Sequence, residues 1–410
     1  MNKKLLQINT TGNFNATGRI AEDIGVIAQR NGYESYIALG RSKRQSANEL
    51  ITIGNKVDIF SHVALTRLFD AHGLGSKQAT LEFVKKLSKL NPTIVHLHNL
   101  HGYYLNYRFL FQYLNNTDIP CVWTFHDCWP ITGHCAHFMS VECDKWERGC
   151  HDCELKNEYP KSLLIDASTR NYELKRKYFG GKDKLLIVAV SYWLKDILQR
   201  SFLKDKEIEV IHNGIDLDIF TPIDLKTRAK LRSDNQIPND KFVILGVASQ
   251  WNEHKGFLDF IELSKYLPAN CQIVMVGLTK EQISRLPNSI LGVPRISDIH
   301  VLRSFYCMAD LFLNLSYQES LPTVNIEALA CGIPVIAYDA GGTRETLPCD
   351  SSLIVKIGDL GAVVKAIVFM MQRDKNESSR EGRLFVEENF DKGKQYLKYI
   401  EVYNRLISYA

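Results

Sequence analysis

Two glutamates, Glu319 and Glu327, are separated by seven residues. The surrounding pattern predicts a short buried strand over residues 310–315, a turn over residues 317–321 and a helix that begins at Pro322. Carboxylates accept hydrogen bonds from hydroxyl groups, and the unpaired amides at the start of a helix attract phosphate. A site that offers both kinds of group suits a ligand with sugar hydroxyls and phosphate, such as a sugar nucleotide.

The elements that must position these glutamates belong to a repeated strand and helix pattern. An apolar strand over residues 4–9 is followed by a loop, a helix from about Arg19 to Arg30 and a second strand. This is the order that opens a doubly wound α/β domain. A second pattern of the same kind begins with the strand over residues 242–248, and a chain of 410 residues has room for two such domains.

Composition excludes several classes of protein. The hydrophobic fraction of 45% and the charged fraction of 23% are ordinary for globular domains. A net charge of +4 is too small to indicate a nucleic-acid partner. The N-terminus lacks the apolar core of a signal peptide, and the sequence contains no run of about 18 uncharged apolar residues. We therefore expect a cytoplasmic protein, in which the ten cysteines are thiols or metal ligands rather than disulfides.

Three further motifs accompany the glutamate pair: SLPT at residues 320–323, EALACGIPVIAYDAGG from Glu327, and NGID at residues 213–216. With them the chain resembles the retaining glycosyltransferases of the family 4 type, which carry a glutamate–seven–glutamate signature on the two-domain GT-B architecture. Within that group the whole chain is similar to bacterial polysaccharide-assembly enzymes of the colanic-acid type.

The resemblance implies an α/β fold of two Rossmann-like doubly wound domains that face each other across a cleft. Residues 1–218 would form an N-terminal acceptor-side domain with a cysteine-rich insertion at residues 128–153. Residues 219–390 would form the C-terminal nucleotide-sugar-binding domain. Residues 391–410 would form a final helix that crosses back to the first domain.

The resemblance also implies how the donor is held. Glu327 would bind ribose hydroxyls, Glu319 sugar hydroxyls and Lys255 the diphosphate. Relatives commonly have an arginine five positions before this lysine, where the present chain has Gln250. This leaves the second cationic contact open, with His254 and Arg19 as alternatives. The other donor-binding residues implied are Gly18, Ser320, Leu321, Pro322, Thr323, Gly341 and Gly342.

On the acceptor side, the resemblance places His126 near the reacting sugar, which makes Glu319, His126 and Lys255 the predicted catalytic set. His98 and Asp127 are the further acceptor-side residues. Without the resemblance, His126 reads as a polar loop residue and Gly18 as a plain turn before a helix. The alternating histidines His96 and His98 are better explained by acceptor contacts or by packing than by metal binding.

The cysteine-rich insertion contains four cysteines within nineteen residues. Four thiolates in tetrahedral arrangement suit structural zinc, and the segment has few aliphatic residues to hold it together. Our hypothesis is a zinc site that braces this loop, with free buried thiols or a redox pair as alternatives. The predicted ligands are Cys135, Cys143, Cys150 and Cys153, with His134, His137 and His151 as substitutes.

The function that the resemblance implies is retaining transfer of a sugar from a nucleoside diphosphate sugar to a glycan or lipid-linked glycan acceptor, in cell-surface polysaccharide biosynthesis. No cofactor is required for catalysis in this fold, and we favour front-face attack. Lys85, Lys86 and Lys89 would contact the inner membrane leaflet or form a solvated helix face. Alternatives are a nucleotide-sugar epimerase or phosphorylase on the same fold, or a non-catalytic binding scaffold.

Overall fold

The chain folds into two compact α/β units. The computed structural model describes residues 3–348 and 351–408. Unit 1 consists of the residues up to Asn213 together with those from Gly393 onward, and unit 2 consists of Gly214–Lys392. Elements are numbered in chain order.

Unit 1 is built on a seven-stranded parallel sheet. Its strands are β1 (Lys3–Asn9), β2 (Tyr33–Leu39), β3 (Glu49–Thr52), β4 (Ile94–Leu97), β5 (Cys121–Phe125), β6 (Leu185–Ala189) and β7 (Glu207–Val210). They are arranged in the order β3-β2-β1-β4-β5-β6-β7. The direction of the winding therefore reverses between β1 and β4, and the carboxyl ends of strands at such a point open a crevice.

Six helices connect these strands: α1 (Asn15–Arg30), α2 (Lys56–Phe69), α3 (Lys77–Leu90), α4 (Tyr107–Asn115), α5 (Ser168–Gly180) and α6 (Tyr192–Arg200). Helix α1 buries Ile20, Ile24 and Ala28, which recur every four residues on one face. It begins at Asn15, four residues before the predicted start.

Unit 2 repeats the design with six parallel strands. They are β8 (Phe242–Val247), β9 (Cys271–Leu278), β10 (Ile290–Pro294), β11 (Leu311–Asn314), β12 (Val335–Tyr338) and β13 (Ser352–Val355), in the order β10-β9-β8-β11-β12-β13. The winding reverses between β8 and β11. The helices are α7 (Leu225–Asp234), α8 (Phe257–Leu263), α9 (Lys280–Ser284), α10 (Ile299–Met308), α11 (Thr323–Ala330), α12 (Leu360–Gln372) and α13 (Lys375–Asn389).

The last helix, α14 (Lys392–Ser408), packs on the sheet of unit 1. Its Tyr399 hydroxyl lies 3.0 Å from the Thr124 hydroxyl, and its Tyr403 hydroxyl lies 2.6 Å from His96 Nδ1. Both tyrosines are fully buried. The C-terminal helix is thus part of the core that begins with β1.

The two parallel sheets confirm the predicted fold class of two doubly wound α/β domains. In the described ranges of the chain, none of the helices combines the length and the apolar character needed to cross a membrane.

Candidate functional site

Three loops of unit 2 meet at the carboxyl ends of the adjacent strands β8, β11 and β12. The Tyr317 amide in the middle loop donates to the His254 carbonyl in the first loop at 2.8 Å. The Gly342 amide in the third loop donates to the Glu319 carbonyl in the middle loop at 3.1 Å. The backbone itself therefore fixes the spacing of the loops that carry the predicted donor residues.

Two glycines allow this close approach. Gly256 has a φ of +72°, and a Cβ there would lie 2.4 Å from the Leu315 carbonyl oxygen. Gly341 has a φ of +54°, and a Cβ there would lie 1.8 Å from the Glu319 carbonyl oxygen. A left-handed conformation combined with backbone contact at these distances admits only glycine. Gly341, which the resemblance implies as a donor-binding residue, is thus also a packing requirement of the Glu319 loop.

Glu319 and Lys255 form an ion pair. Lys255 Nζ lies 2.6 Å from Glu319 Oε1, and 14% of the glutamate side chain and 36% of the lysine side chain are exposed. The Asn252 side chain accepts a hydrogen bond from the Lys255 amide at 3.0 Å and so fixes the short turn that presents the lysine. A half-exposed pair of this kind adds little stability. Its charges remain available to a ligand with hydroxyl and phosphate groups.

Glu327 occupies a more enclosed position on α11. Its side chain is buried, and Oε2 accepts a hydrogen bond from the Tyr306 hydroxyl at 2.6 Å. Tyr306 lies on α10 and is fully buried. Sequence reasoning missed this residue. A signal was present in the apolar run FYCM at residues 305–308, because a tyrosine buried in such a run needs a partner for its hydroxyl.

The start of α11 differs by one residue from the prediction. The helix begins at Thr323, and Pro322 is the residue before it rather than its first residue. The Ser320 hydroxyl just upstream is buried and has no hydrogen-bond partner within the described ranges. A helix start has amides without intrahelical partners, so this corner contains donors suited to an anion or a hydroxyl.

A buried row of hydrogen-bonded side chains supports the start of α11. The Asn314 side-chain amide donates to Asn325 Oδ1 at 2.9 Å, and the Asn325 amide donates to the Thr346 hydroxyl at 3.0 Å. The row joins the end of β11, the helix α11 and the short 3₁₀ turn that follows Gly341. Because all three side chains are interior and satisfied, they make the site rigid.

The two alternatives for the second cationic contact lie in different units. His254 adjoins Lys255, and its Nδ1 lies 3.3 Å from the Gln318 side-chain amide. Arg19 lies on α1 of unit 1, and Gln250 is exposed in the loop after β8.

The prediction that Gly18 precedes a helix is wrong, since it lies in the first turn of α1. A Cβ at Gly18 would lie 2.7 Å from the Thr11 hydroxyl, so close packing already explains this glycine.

The two histidines predicted for the acceptor side, His98 and His126, form a directed hydrogen-bond chain in unit 1. The Gln7 amide nitrogen donates to the Ala21 carbonyl, so Gln7 Oε1 must accept from His98 Nε2 at 3.0 Å. His98 Nδ1, left as an acceptor in the neutral ring, then receives His126 Nε2–H at 3.2 Å. This hydrogen-bond chain leaves His126 Nδ1 as a hydrogen-bond acceptor.

The protonation states of this cluster follow from burial. Burial lowers the pKa of His126 to about 4, against a smaller opposing effect of Asp127. Burial also lowers the pKa of His98 well below its usual value. Burial alone would raise the pKa of Asp127, but His101, whose Nε2 lies 2.8 Å away, together with His137 and the Trp129 amide holds that pKa below its usual range. At neutral pH, His98 and His126 are therefore neutral and Asp127 is ionised.

His96 illustrates the packing alternative. Its Nδ1 lies 2.6 Å from the Tyr403 hydroxyl and its Nε2 lies 2.8 Å from the Thr124 hydroxyl, in the interior beneath α14. Both ring nitrogens are satisfied inside the core. His96 therefore serves the attachment of the last helix.

The predicted zinc site is not supported, although one small cavity is lined by Cys135, Cys143, Cys150 and Cys153. Across residues 3–348 and 351–408, no three His, Cys, Asp or Glu side chains are placed to hold one metal ion. Instead, the Cys135 thiol hydrogen-bonds to Cys153, which raises the pKa of Cys135 and lowers that of Cys153 to about 7. All nine cysteines of the described ranges are free thiols, and of the four predicted ligands Cys135 is buried while Cys143, Cys150 and Cys153 are half-buried.

The substitute ligand His134 is also engaged elsewhere. Its Nδ1 lies 2.6 Å from Asp70 Oδ1, and both side chains are completely buried. The cysteine-rich segment is held by other groups. The rings of Phe138 and Trp146 stack with centroids 5.0 Å apart, and the buried Lys175 side-chain nitrogen donates to the Trp129 carbonyl at 2.6 Å. Burial lowers the pKa of Lys175 to about 7. Aromatic packing and one buried, hydrogen-bonded lysine thus replace the missing aliphatic core.

Two sequence profiles match the chain in succession. The profile described as Glycosyltransferase Family 4 matches residues 18–219, and the profile described as Glycosyl transferases group 1 matches residues 227–381. WcaC of Escherichia coli strain K12, a glycosyl transferase named for colanic acid biosynthesis, is 24% identical over 359 residues, which cover 84% of this chain and 85% of WcaC. TuaC of Bacillus subtilis strain 168, named as a teichuronic acid biosynthesis glycosyltransferase, is 30% identical over 185 residues, which cover 44% of this chain and 46% of TuaC.

Solved structures share the fold over the whole chain. Sucrose-phosphate synthase from Thermosynechococcus elongatus superposes with a TM-score of 0.75 at 17% identity, with all of both chains covered. The Anabaena protein HepE in complex with UDP-glucose has a TM-score of 0.69 at 15% identity, with 98% of this chain and 99% of that chain covered. The successive profile matches, the two doubly wound units and these neighbours show that the chain belongs to the GT-B glycosyltransferases of the family 4 type.

Proposed function

We propose that the protein transfers a sugar, with retention of anomeric configuration, from a nucleoside diphosphate sugar to a glycan or lipid-linked glycan in cell-surface polysaccharide biosynthesis. The observation that carries this proposal is the ion pair between Lys255 and Glu319 at the carboxyl ends of β8 and β11. It offers a cation for phosphate and a carboxylate for hydroxyls in one place. The names of WcaC and TuaC support the pathway class, and the UDP-glucose bound to HepE supports the donor class.

Unit 2 contains the groups for the donor. We assign the diphosphate to Lys255, where the ammonium stabilises the charge that develops on the leaving group. Glu319 then accepts from sugar hydroxyls, and Glu327, held by Tyr306, accepts from ribose hydroxyls. The backbone amides assigned to the diphosphate are those near Ser320, Leu321 and Gly341, since the Gly342 amide, also predicted for this role, already donates to the Glu319 carbonyl. Pro322 and Thr323 shape the start of the helix beside them.

Unit 1 contains the groups assigned to the acceptor, which are His98, His126 and Asp127. In front-face attack, the acceptor oxygen bonds to the anomeric carbon as the bond to the diphosphate breaks, and the acceptor proton passes to the leaving phosphate oxygen. His126 Nδ1 is directed by the Gln7–His98 chain to accept a hydrogen bond, so His126 orients the acceptor through a hydroxyl other than the attacking one, whose proton goes to the phosphate. Its lowered pKa keeps it neutral for that role.

The proposal is tested by product analysis with a panel of UDP, GDP and ADP sugars and glycan or lipid-linked acceptors. We expect acceptor-dependent release of the nucleoside diphosphate, and a product whose anomeric configuration, measured by NMR coupling constants, equals that of the donor. An inverted product would contradict the retaining mechanism. Donor consumption without an acceptor would indicate an epimerase, a requirement for free phosphate would indicate a phosphorylase, and binding without turnover would indicate a scaffold.

A further inference from the structure

A second row of hydrogen-bonded side chains lies beside the His98–His126 chain in unit 1. Asp127 Oδ2 lies 2.8 Å from His101 Nε2, and His101 Nδ1 lies 2.9 Å from the Tyr159 hydroxyl. His101 is three residues after His98, and Asp127 directly follows His126. Both rows therefore join the loops that follow β4 and β5, next to the point where the winding reverses. We call the row of Asp127, His101 and Tyr159 the outer row.

Asp127 fixes the inner end of the outer row. Its Oδ1 accepts a hydrogen bond from the Trp129 amide at 2.9 Å, and its Oδ2 accepts one from His101 Nε2. Only 12% of the aspartate side chain and 11% of the His101 side chain are exposed. His101 Nε2 must carry a proton, because an ionised carboxylate can only accept. The position of the His101 ring is thus set from within the protein.

Tyr159 forms the outer end of the row and is 45% exposed. Its ring packs edge-on against two buried rings, with centroids 5.5 Å from His72 and 6.1 Å from Tyr103. The Ser162 amide donates to the Lys156 carbonyl at 2.9 Å, which closes the turn that presents Tyr159. The tyrosine ring is therefore held in place while nearly half of the residue remains in contact with solvent.

The Tyr159 hydroxyl keeps a hydrogen-bonding position for a ligand in either charge state of His101. In the neutral ring, Nδ1 accepts the tyrosine proton, and the tyrosine oxygen can accept from a ligand. In the protonated ring, Nδ1–H donates to the tyrosine oxygen, and the tyrosine proton can be donated to a ligand. A sugar hydroxyl suits both states because it donates and accepts. A carboxylate or phosphate only accepts, so it would fit the second state alone.

An exposed aromatic ring beside a fixed hydroxyl matches the chemistry of a sugar ring. A pyranose presents a face of C–H groups bordered by hydroxyls, and tyrosine has an apolar ring with a polar tip. Sites for small ligands combine aromatic surface with a few precisely placed polar groups. The outer row supplies both, at the same edge of the sheet as the residues already assigned to the acceptor.

We propose that Tyr159 is a specificity-determining residue of the acceptor subsite. Its ring lies against the face of the acceptor sugar, and its hydroxyl bonds to one of that sugar's hydroxyls. His101 is a positioning residue, because it acts through Tyr159. The inference rests on the proposed function, and it narrows the acceptor to a neutral sugar ring rather than an anionic or aliphatic group. It also gives the cysteine-rich insertion a task, since the segment directly after it carries Tyr159.

The test is binding of methyl glycosides in the absence of any donor, measured by saturation-transfer NMR titration. The panel contains the α- and β-methyl glycosides of glucose, galactose, mannose, N-acetylglucosamine and glucuronic acid. We expect the full chain to bind at least one neutral glycoside, with saturation transferred mainly to the C–H groups of one ring face.

Two variants of Tyr159 separate the ring from the hydroxyl. Tyr159→Ala loses both and should weaken glycoside binding at least about 10-fold, whereas Tyr159→Phe loses only the hydroxyl and should weaken it about 3- to 10-fold. Tyr159→Phe keeps the ring packing, so it remains informative if Tyr159→Ala does not fold. The matched control is Tyr266→Ala, because Tyr266 is 59% exposed and its hydroxyl bonds to Glu262 at 2.9 Å. It should bind as the wild type does.

A double-mutant cycle tests the positioning role of His101. His101→Gln keeps an amide that can donate to Asp127, and it should weaken glycoside binding in the wild type but add little to Tyr159→Phe. Additive losses would contradict action through the tyrosine hydroxyl.

Three results would overturn the proposal: wild-type affinity in Tyr159→Ala, tighter binding of the glucuronide than of the glucoside, or no binding of any glycoside. No donor is present, so these results do not depend on the transfer reaction. A chain that binds a glycoside through Tyr159 but transfers no sugar to any acceptor would instead contradict the proposed function alone.

Discussion

The two units share one architecture but place different polar groups at the carboxyl ends of their strands. Unit 1 presents two neutral histidines, the buried His98 and the half-buried His126, in a hydrogen-bond chain that ends at Gln7. Unit 2 presents the charged pair of Lys255 and Glu319 with Glu327 behind it. Neutral rings suit the orientation of a hydroxyl, and fixed charges suit a diphosphate. The comparison teaches that a common fold supplies the position of a crevice, while the loop residues decide which half of a reaction each crevice can serve.

The largest expected effect is on the charged pair of unit 2. Lys255→Ala and Glu319→Ala should each lower transfer by at least about 100-fold, the scale of losing one electrostatic contact to a transition state. The measurement is kcat/KM with the donor and acceptor identified by product analysis. Lys265→Ala is the matched control, because this exposed lysine forms its ion pair with Glu262 instead. Near-normal turnover in Lys255→Ala would remove the ion pair from the mechanism.

The glycine turn beside Glu319 should be the next most sensitive feature. Gly341→Ala places a Cβ 1.8 Å from the Glu319 carbonyl oxygen in a left-handed conformation. We expect a loss of more than about 1 kcal/mol in the free energy of unfolding together with weaker donor binding, measured by denaturant titration and calorimetry. Gly361→Ala is the control, since the nearest atom to its Cβ would be 3.5 Å away. Equal stability of both variants would refute the close-packing argument.

The buried Tyr306 should act as a positioning residue for Glu327. Tyr306→Phe removes one hydrogen bond to a carboxylate, worth about 1.5–3 kcal/mol, so the KM for the donor should rise roughly 10-fold or more with a smaller change in kcat. Tyr266→Phe is matched to it, because the Tyr266 hydroxyl bonds to the exposed Glu262 at 2.9 Å. An unchanged donor KM in Tyr306→Phe would show that Glu327 needs no such support.

The sequence was most informative where a motif dictates backbone geometry. The strand, turn and helix around Glu319 could be predicted because turn and helix-start rules act locally. The need for glycine at 341 could not, because it depends on the approach of the Glu319 carbonyl. Other contacts could not be predicted, because they join side chains that lie more than 20 residues apart in the sequence and on different elements. These contacts are the Lys255–Glu319 pair, the Tyr306–Glu327 hydrogen bond and the Gln7–His98–His126 chain. The zinc prediction failed for a related reason, because cysteine spacing does not fix the direction of each sulfur.

The smallest expected effect is a difference between the two units in how their stability depends on pH. Burial lowers the pKa of His62 and His126 to about 4 in the folded protein. As pH drops from about 6.5 to 4, these histidines bind a proton in the unfolded chain but not in the folded one, so the stability of unit 1 falls. In unit 2, burial would raise the pKa of Asp310, but Arg228, Lys375 and Arg232 lower it to about 2. Its contribution is present above about pH 4 and is lost only between about pH 4 and 2.

Hydrogen exchange read by mass spectrometry at pH 6.5, 5.5 and 4.5, corrected for the intrinsic exchange rate, measures this difference. Peptides from unit 1 should lose protection over this range while peptides from β8 and β11 keep theirs. His126→Gln should reduce the acid sensitivity of unit 1. Equal loss of protection in both units would contradict the contrast between buried histidines and a paired aspartate.

A crystal structure of the protein with a bound nucleoside diphosphate sugar would decide whether the Lys255–Glu319 pair receives the donor. We expect Lys255 Nζ to leave Glu319 and contact a diphosphate oxygen, while Glu319 accepts from a sugar hydroxyl and Glu327 from the ribose. A donor bound elsewhere, with the 2.6 Å pair of Lys255 and Glu319 unchanged, would contradict this expectation.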